Sequence, residues 1–155
     1  MNIGQLLDPR AIVPRASGGT KRQVLSVIAD VAARTWGLDA TVVLDALLER
    51  EAAGSTGIGH GVAVPHARLN GVGQMHAVFI RLETPIAYEA VDGAKVDLLF
   101  ALLAPSADAG AEHLRALARV SRLMRQPDLR AQLRQARSAE MILSMLEREA
   151  QPSAA

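Results

Sequence analysis

Apolar residues recur along the chain with two different periods, and the change between them divides it into three stretches. In the first, Val24, Ile28, Val31 and Trp36 return at roughly helical spacing. Thr20 precedes them with Gln23 three places on, the pattern of a capping box, and Gly37 is a natural stop. Asp39 is placed to cap a second helix with Val42, Val43, Ala46 and Leu47 on one face, running to about Arg50–Glu51 and ending before Gly54. Ile12–Val13 reads as a short strand ahead of both.

The middle stretch is strand-like. Val62-Ala63-Val64 is a short run stopped by Pro65. His76 to Leu82 alternates loosely. Val96 to Ala104 (VDLLFALLA) is apolar on both faces, as a strand covered on both sides should be, and Pro105 ends it.

Helical spacing then returns. Glu112 to Met124 is expected to turn Leu114, Leu117, Val120, Ser121 and Met124 to the core. Asp128 is placed to cap a short helix holding Leu129 and Leu133, and Ser138 a last one with Ile142 and Met145–Leu146 inward. Gln151 to Ala155 reads as a frayed tail. Two helices, a strand-rich middle and further helices imply an α/β fold: a sheet with helices on both faces, in one domain spanning residues 1–155. Strand order does not follow from the pattern.

Composition narrows the class. The chain has 155 residues, half of them hydrophobic and 21% charged, which fits a globular protein and not a disordered one. Aromatics are limited to Trp36, Phe79, Tyr88 and Phe100, so the core must be aliphatic. A net charge of +1 supplies no global field toward nucleic acid or a membrane surface. The absence of cysteine removes disulfides, thiolate catalysis and cysteine zinc sites. Met1 to Arg10 lacks a basic start followed by an apolar stretch, and Leu98 to Ala104 is too short to cross a bilayer, so a soluble cytoplasmic protein is expected.

Four histidines are present: His60, His66, His76 and His113. His66 follows Val64-Pro65, where a strand end presents the next side chain at a sheet's rim. The preceding segment, Gly54-Ser55-Thr56-Gly57-Ile58-Gly59-His60-Gly61, can offer backbone N–H groups to an anion, and Arg68 adds positive charge. A neutral imidazole nitrogen is a nucleophile, and an ordinary histidine is substantially neutral near pH 7. The bland alternative is a turn histidine bonded to backbone.

His113 opens a predicted helix, where an anion is favoured; a solvated first-turn residue is the competing reading. Arg50 is either a helix-end cation or a phosphate clamp. Ser55 and Thr56 either donate to a phosphate or shape the turn. His60 and His76 have no assignable role, and no spacing supports a zinc site. No Gly-Lys-Ser/Thr follows the glycines, so a Walker A loop is absent, and Ser55 lies in no nucleophile elbow.

The string from Arg50 through Gly54-Ser55-Thr56-Gly57-Ile58-Gly59 to Val64-Pro65-His66 resembles the phosphorylation segment of the mannitol/fructose-type IIA family of the phosphotransferase system. The likeness continues through Leu82-Glu83-Thr84-Pro85-Ile86, Val96 to Leu103 and Glu112-His113-Leu114. It is strongest to the family's nitrogen-regulatory branch. The resemblance implies an α/β sandwich with a mixed sheet. It implies that His66 accepts a phosphoryl group on Nε2 from an HPr-like phosphocarrier protein, charged in turn from phosphoenolpyruvate by an enzyme I homologue. It makes His113 the second active-site histidine and Arg50 the phosphate-stabilising arginine.

On this reading the chain is a phosphocarrier with no small-molecule turnover and needs no cofactor. Its output is phospho-state-dependent binding of regulated partner proteins, such as a kinase or transporter, in nitrogen, carbon or potassium metabolism. Ile58 and Val62 are candidates for docking the carrier. The alternative within the family is a sugar-specific fructose or mannitol component that donates to a IIB domain. Position 60 is His, where relatives often have Asn.

Overall fold

The fold is given by a computed structural model that describes residues 3–107 and 111–150. The expected tail, residues 151–155, lies outside them. At the centre, β5 (His76–Ile86) and β6 (Val96–Pro105) pair antiparallel, with Phe79 opposite Phe100. β1 (Ile12–Ala16) runs parallel to β5 on one side. On the other side of β6 lie β3 (Val62–Ala63) and β4 (His66–Leu69), both parallel to it. β2 (Gly57–Gly59) closes that edge as the antiparallel partner of β3. The result is a six-stranded mixed sheet in the order β1-β5-β6-β3-β2, with β4 also on β6.

The continuous apolar run of β6 is explained by cover on both faces. Leu99, Ala101 and Leu103 point into one apolar cluster with α2 (Lys21–Trp36) and α3 (Ala40–Ala52). Leu98, Phe100, Leu102 and Ala104 point into a second with α4 (Ala111–Met124), α5 (Pro127–Gln135) and α6 (Ala139–Ala150). A short α1 (Ile3–Leu6) adds Ile3 and Leu6 to the second cluster. The expected α/β architecture, a mixed sheet with helices on both faces, is therefore the one observed.

Three of the four expected caps form, at Thr20, Asp39 and Ser138. The Thr20 side chain accepts from the Gln23 amide and Asp39 from the amides of Thr41 and Val42. Ser138 accepts from the Met141 amide. Gln23 departs from the capping-box pattern by accepting from the amide of Gly19, one residue before the cap.

Three expectations need correction. Asp128 lies in the first turn of α5 and does not cap it; Gln126 takes the cap position without a side-chain bond, and Pro127 starts the helix. On α3 the buried stripe is Val43, Leu47 and Glu51, while Val42 is exposed. On α4 the buried positions are His113, Ala116, Val120, Leu123 and Met124, and Leu114 faces solvent at 65% exposure. That rotation of about one residue puts His113 on the inner face of its helix.

Candidate active site

The site is built on an interrupted edge strand. Val62 pairs with Leu98 and Ala63 with Leu99, then His66 with Leu102 and Leu69 with Pro105, so a single register runs past Val64 and Pro65. Pro65, expected to stop the strand, only interrupts it, because its carbonyl still accepts from the Leu102 amide at 2.9 Å. His66 is thus the first residue of β4, on a stretch of edge that β2 does not reach. Alternation along β4 buries Ala67 and Leu69 against the α2–α3 side and turns His66 and Arg68 away from it.

The glycine segment is the hairpin that leads into this strand. His60 and Gly61 form its tip, both with positive φ (58° and 80°), and the His60 amide donates to Asp92. A Cβ at Gly61 would collide with the Arg134 guanidinium and lie 2.9 Å from the Asp97 carboxylate. A Cβ at Gly57 would come within 2.7 Å of the Ala90 Cβ and 2.9 Å of its Cα. Gly57 is therefore demanded by close packing against backbone, and Gly61 by its positive φ. His60 is held at the tip, and its carbonyl accepts from Arg134 at 2.6 Å.

The ring of His66 is held at both nitrogens. Nδ1 is 2.9 Å from the carbonyl of Val64, which can only accept, so Nδ1 carries the proton. Nε2 accepts from Nε of Arg50 at 3.0 Å and so exposes its lone pair toward that side chain. Arg50 comes from the last turn of α3 and donates a second bond, at 2.8 Å, to the carbonyl of Gly54. Burial holds His66 below the ordinary histidine pKa; the Val64 carbonyl opposes this, the Arg50 guanidinium adds to it, and the Glu51 carboxylate opposes it. These contacts favour a neutral imidazole in one tautomer, with the proton on Nδ1 and the lone pair on Nε2.

His113 completes the group. Its ring lies 5.4 Å from that of His66, tilted by 55°. His66, His113, Arg50 and Arg68 line one open depression with Ala46, Glu49, Ala53 and Ala67. Two guanidinium groups and two imidazoles share it with the Glu49 carboxylate, and guanidinium is the side-chain group best shaped to meet a phosphate.

The other candidates fall elsewhere. The Ser55 hydroxyl donates to the carbonyl of Tyr88 at 2.9 Å and accepts from the amide of Gly57. The Thr56 hydroxyl donates to Glu51. Neither side chain lines the depression, and these bonds describe the turn-shaping alternative. Val62 is fully buried, so it presents no docking surface; Ile58 is half-buried. Val42 and Leu114 are exposed apolar side chains on the two helices that supply Arg50 and His113. His76 stacks on Trp36 with centroids 4.2 Å apart and does not line the depression. Among the described residues, no cluster of three or more His, Cys, Asp or Glu side chains is arranged to hold a metal ion.

Residues 5–149 match the family described as phosphoenolpyruvate-dependent sugar phosphotransferase system, EIIA 2. The chain belongs to that family. A nitrogen regulatory protein from Bradyrhizobium diazoefficiens is 44% identical over 146 residues, covering 94% of this chain and 95% of that protein. A nitrogen regulatory protein from Pseudomonas aeruginosa is 38% identical over 147 residues, with 94% and 95% covered. The crystal structure of nitrogen regulatory protein IIA-Ntr from Neisseria meningitidis superposes with a TM-score of 0.87 at 36% identity, over 93% of this chain and 98% of that one. As an EIIA domain the chain is a component of a phosphoryl-transfer system. Among the described residues, no helix is long and apolar enough to cross a membrane.

Proposed function

We propose that this EIIA domain is a regulatory phosphocarrier whose acceptor atom is Nε2 of His66. The observation that carries this reading is the fixed tautomer: Nδ1–H is spent on Val64, which leaves the nucleophilic lone pair on Nε2 beside a guanidinium. In the transfer, Nε2 attacks phosphorus on the phosphohistidine of an HPr-like carrier. The new P–N bond forms as the carrier's P–N bond breaks, and the carrier's imidazole leaves. The Arg50 Nε–H that now faces Nε2 then faces a phosphoryl oxygen, and His113 is close enough to donate to another. About −1.5 to −2 charges appear at a rim that was neutral to basic, which regulated partner proteins can discriminate. The nitrogen-regulatory names of the similar proteins support a regulatory output over delivery to sugar.

Incubation with phosphoenolpyruvate, an enzyme I homologue and the carrier tests this. The expected product is an acid-labile, base-stable mass increase of one phosphoryl group, absent in His66→Ala. Unchanged labelling of His66→Ala would overturn the assignment. The family's description includes sugar systems, so the sugar-specific reading is tested in parallel. Rapid donation from the phospho-form to a IIB domain of a fructose or mannitol permease would favour it.

A further inference from the structure

Directly behind the Arg50–His66 pair lies a buried carboxylate for which the phosphocarrier reading has no use. Glu51 continues the buried stripe of α3 at the i, i+4, i+8 positions after Val43 and Leu47. Its side chain is 4% exposed, and both oxygens are fully engaged. One accepts from the Tyr88 hydroxyl at 3.0 Å and from the Thr56 hydroxyl. The other accepts from the Thr56 amide at 3.2 Å and from Nζ of Lys21 at 3.1 Å. Nζ of Lys21 also lies 4.4 Å from the centre of the Tyr88 ring. Burying a carboxylate is costly unless every lone pair is met, and here four donors meet it.

We propose that Glu51 is a positioning residue of the phosphoryl-transfer site, its carboxylate clamping the turn that holds both Arg50 and the ring of His66. Two short paths lead from it. In one, Glu51 binds the amide and hydroxyl of Thr56, the Thr56 carbonyl accepts from the Val64 amide at 3.0 Å, and the Val64 carbonyl takes the Nδ1–H of His66. In the other, Arg50, the residue before Glu51, anchors its guanidinium on Gly54, inside the same turn. Releasing Thr56 therefore loosens the carbonyl that selects the tautomer and the loop that aims the cation. Lys21 and Tyr88, from α2 and from the connection after β5, fix the carboxylate itself from the far side.

The inference rests on the phosphocarrier reading only for its activity readout. The ring nitrogens of His66, observed by NMR in protein carrying ¹⁵N-histidine, report positioning without any transfer. In the wild type a single tautomer with unprotonated Nε2 is expected. Glu51→Gln keeps the shape but leaves one acceptor oxygen for four donors, so a mixture of tautomers and at least about tenfold slower phosphoryl acceptance are expected. Thr56→Ser, which keeps the hydroxyl, should match the wild type in both readouts, whereas Thr56→Val should follow Glu51→Gln. A folded Glu51→Gln protein with the wild-type tautomer and rate would overturn the proposal. If Glu51→Gln does not fold, the Thr56 pair decides it, and wild-type behaviour of Thr56→Val would overturn it. A wild-type protein that takes no phosphoryl group would defeat the phosphocarrier reading, while the ring signature would still test Glu51.

Discussion

Nε of Arg50 donates to Nε2 of His66 across 3.0 Å, so the atom proposed to attack phosphorus is already in contact with the cation proposed to receive the product's charge. The Nε2 lone pair is taken up by that bond, so attack on phosphorus requires the guanidinium to shift. In the proposed transfer a docked phosphorylated carrier would supply the reason for the shift, because a phosphoryl oxygen is a stronger acceptor for a guanidinium than a neutral ring nitrogen.

Arg50→Ala is expected to slow phosphoryl acceptance by about 10²–10³-fold, the usual cost of removing a preorganised donor at a site of developing charge. Arg50→Lys should fall between, because an ammonium keeps the charge and loses the planar fork. Single-turnover transfer from the phosphorylated carrier measures both. Wild-type rates in Arg50→Ala would reduce Arg50 to a helix-end cation.

His113→Ala is expected to lower the transfer rate by about tenfold or more with the fold retained. The ring is buried on the inner face of α4, so a stability loss of about 1–2 kcal/mol in chemical denaturation should accompany it. Loss of stability with no change in transfer would make its role structural.

The pH dependence has a definite sign. Burial and the Arg50 guanidinium hold the folded-state pKa of His66 below 6.5. Phosphoryl acceptance by His66 should therefore persist as pH falls through 6.5 and decline only at lower pH, provided carrier and enzyme I are kept saturating. In stability, an imidazole with a depressed folded pKa favours the folded state above the unfolded value and loses that contribution as pH falls through the folded one. His66→Gln should accordingly lose less stability than the wild type on going from pH 7 to pH 5, as thermal melts would report. An equal or larger loss would contradict the depressed value.

The hairpin tip offers a test of the fold. His60 and Gly61 both have positive φ, the requirement of a two-residue type I′ turn, for which Asn-Gly is preferred. His60→Asn should raise stability by about 0.5–1 kcal/mol and leave transfer unchanged. A drop in transfer would bring the His60 side chain into the site chemistry.

What could be read from the sequence was what is local. Thr20 and Asp39 sit immediately before apolar periodicity, and their caps form as such patterns predict. β6 announced itself because both its faces are covered. β4 was not legible, since Pro65 breaks the run and His66-Ala67-Arg68-Leu69 carries two polar residues in four; only its register on β6 makes it a strand. β2, with glycine at two of its three positions, reads as loop for the same reason.

His66, Arg50 and His113 are marked in the sequence by a motif, and their convergence depends on helix rotation and strand pairing that no local signal encodes. Glu51 was missed because a charged residue near a helix end is ordinarily solvated. The signal available was its spacing, four residues beyond Leu47 and eight beyond Val43, on a stripe that is otherwise core.

The most direct measurement is an NMR spectrum of the phosphorylated protein carrying ¹⁵N-histidine. The expected result is a phosphorus–nitrogen coupling on Nε2 of His66 alone, with its Nδ1 still protonated against Val64. Coupling on Nδ1, on the ring of His60, His76 or His113, or on no histidine at all would contradict the account.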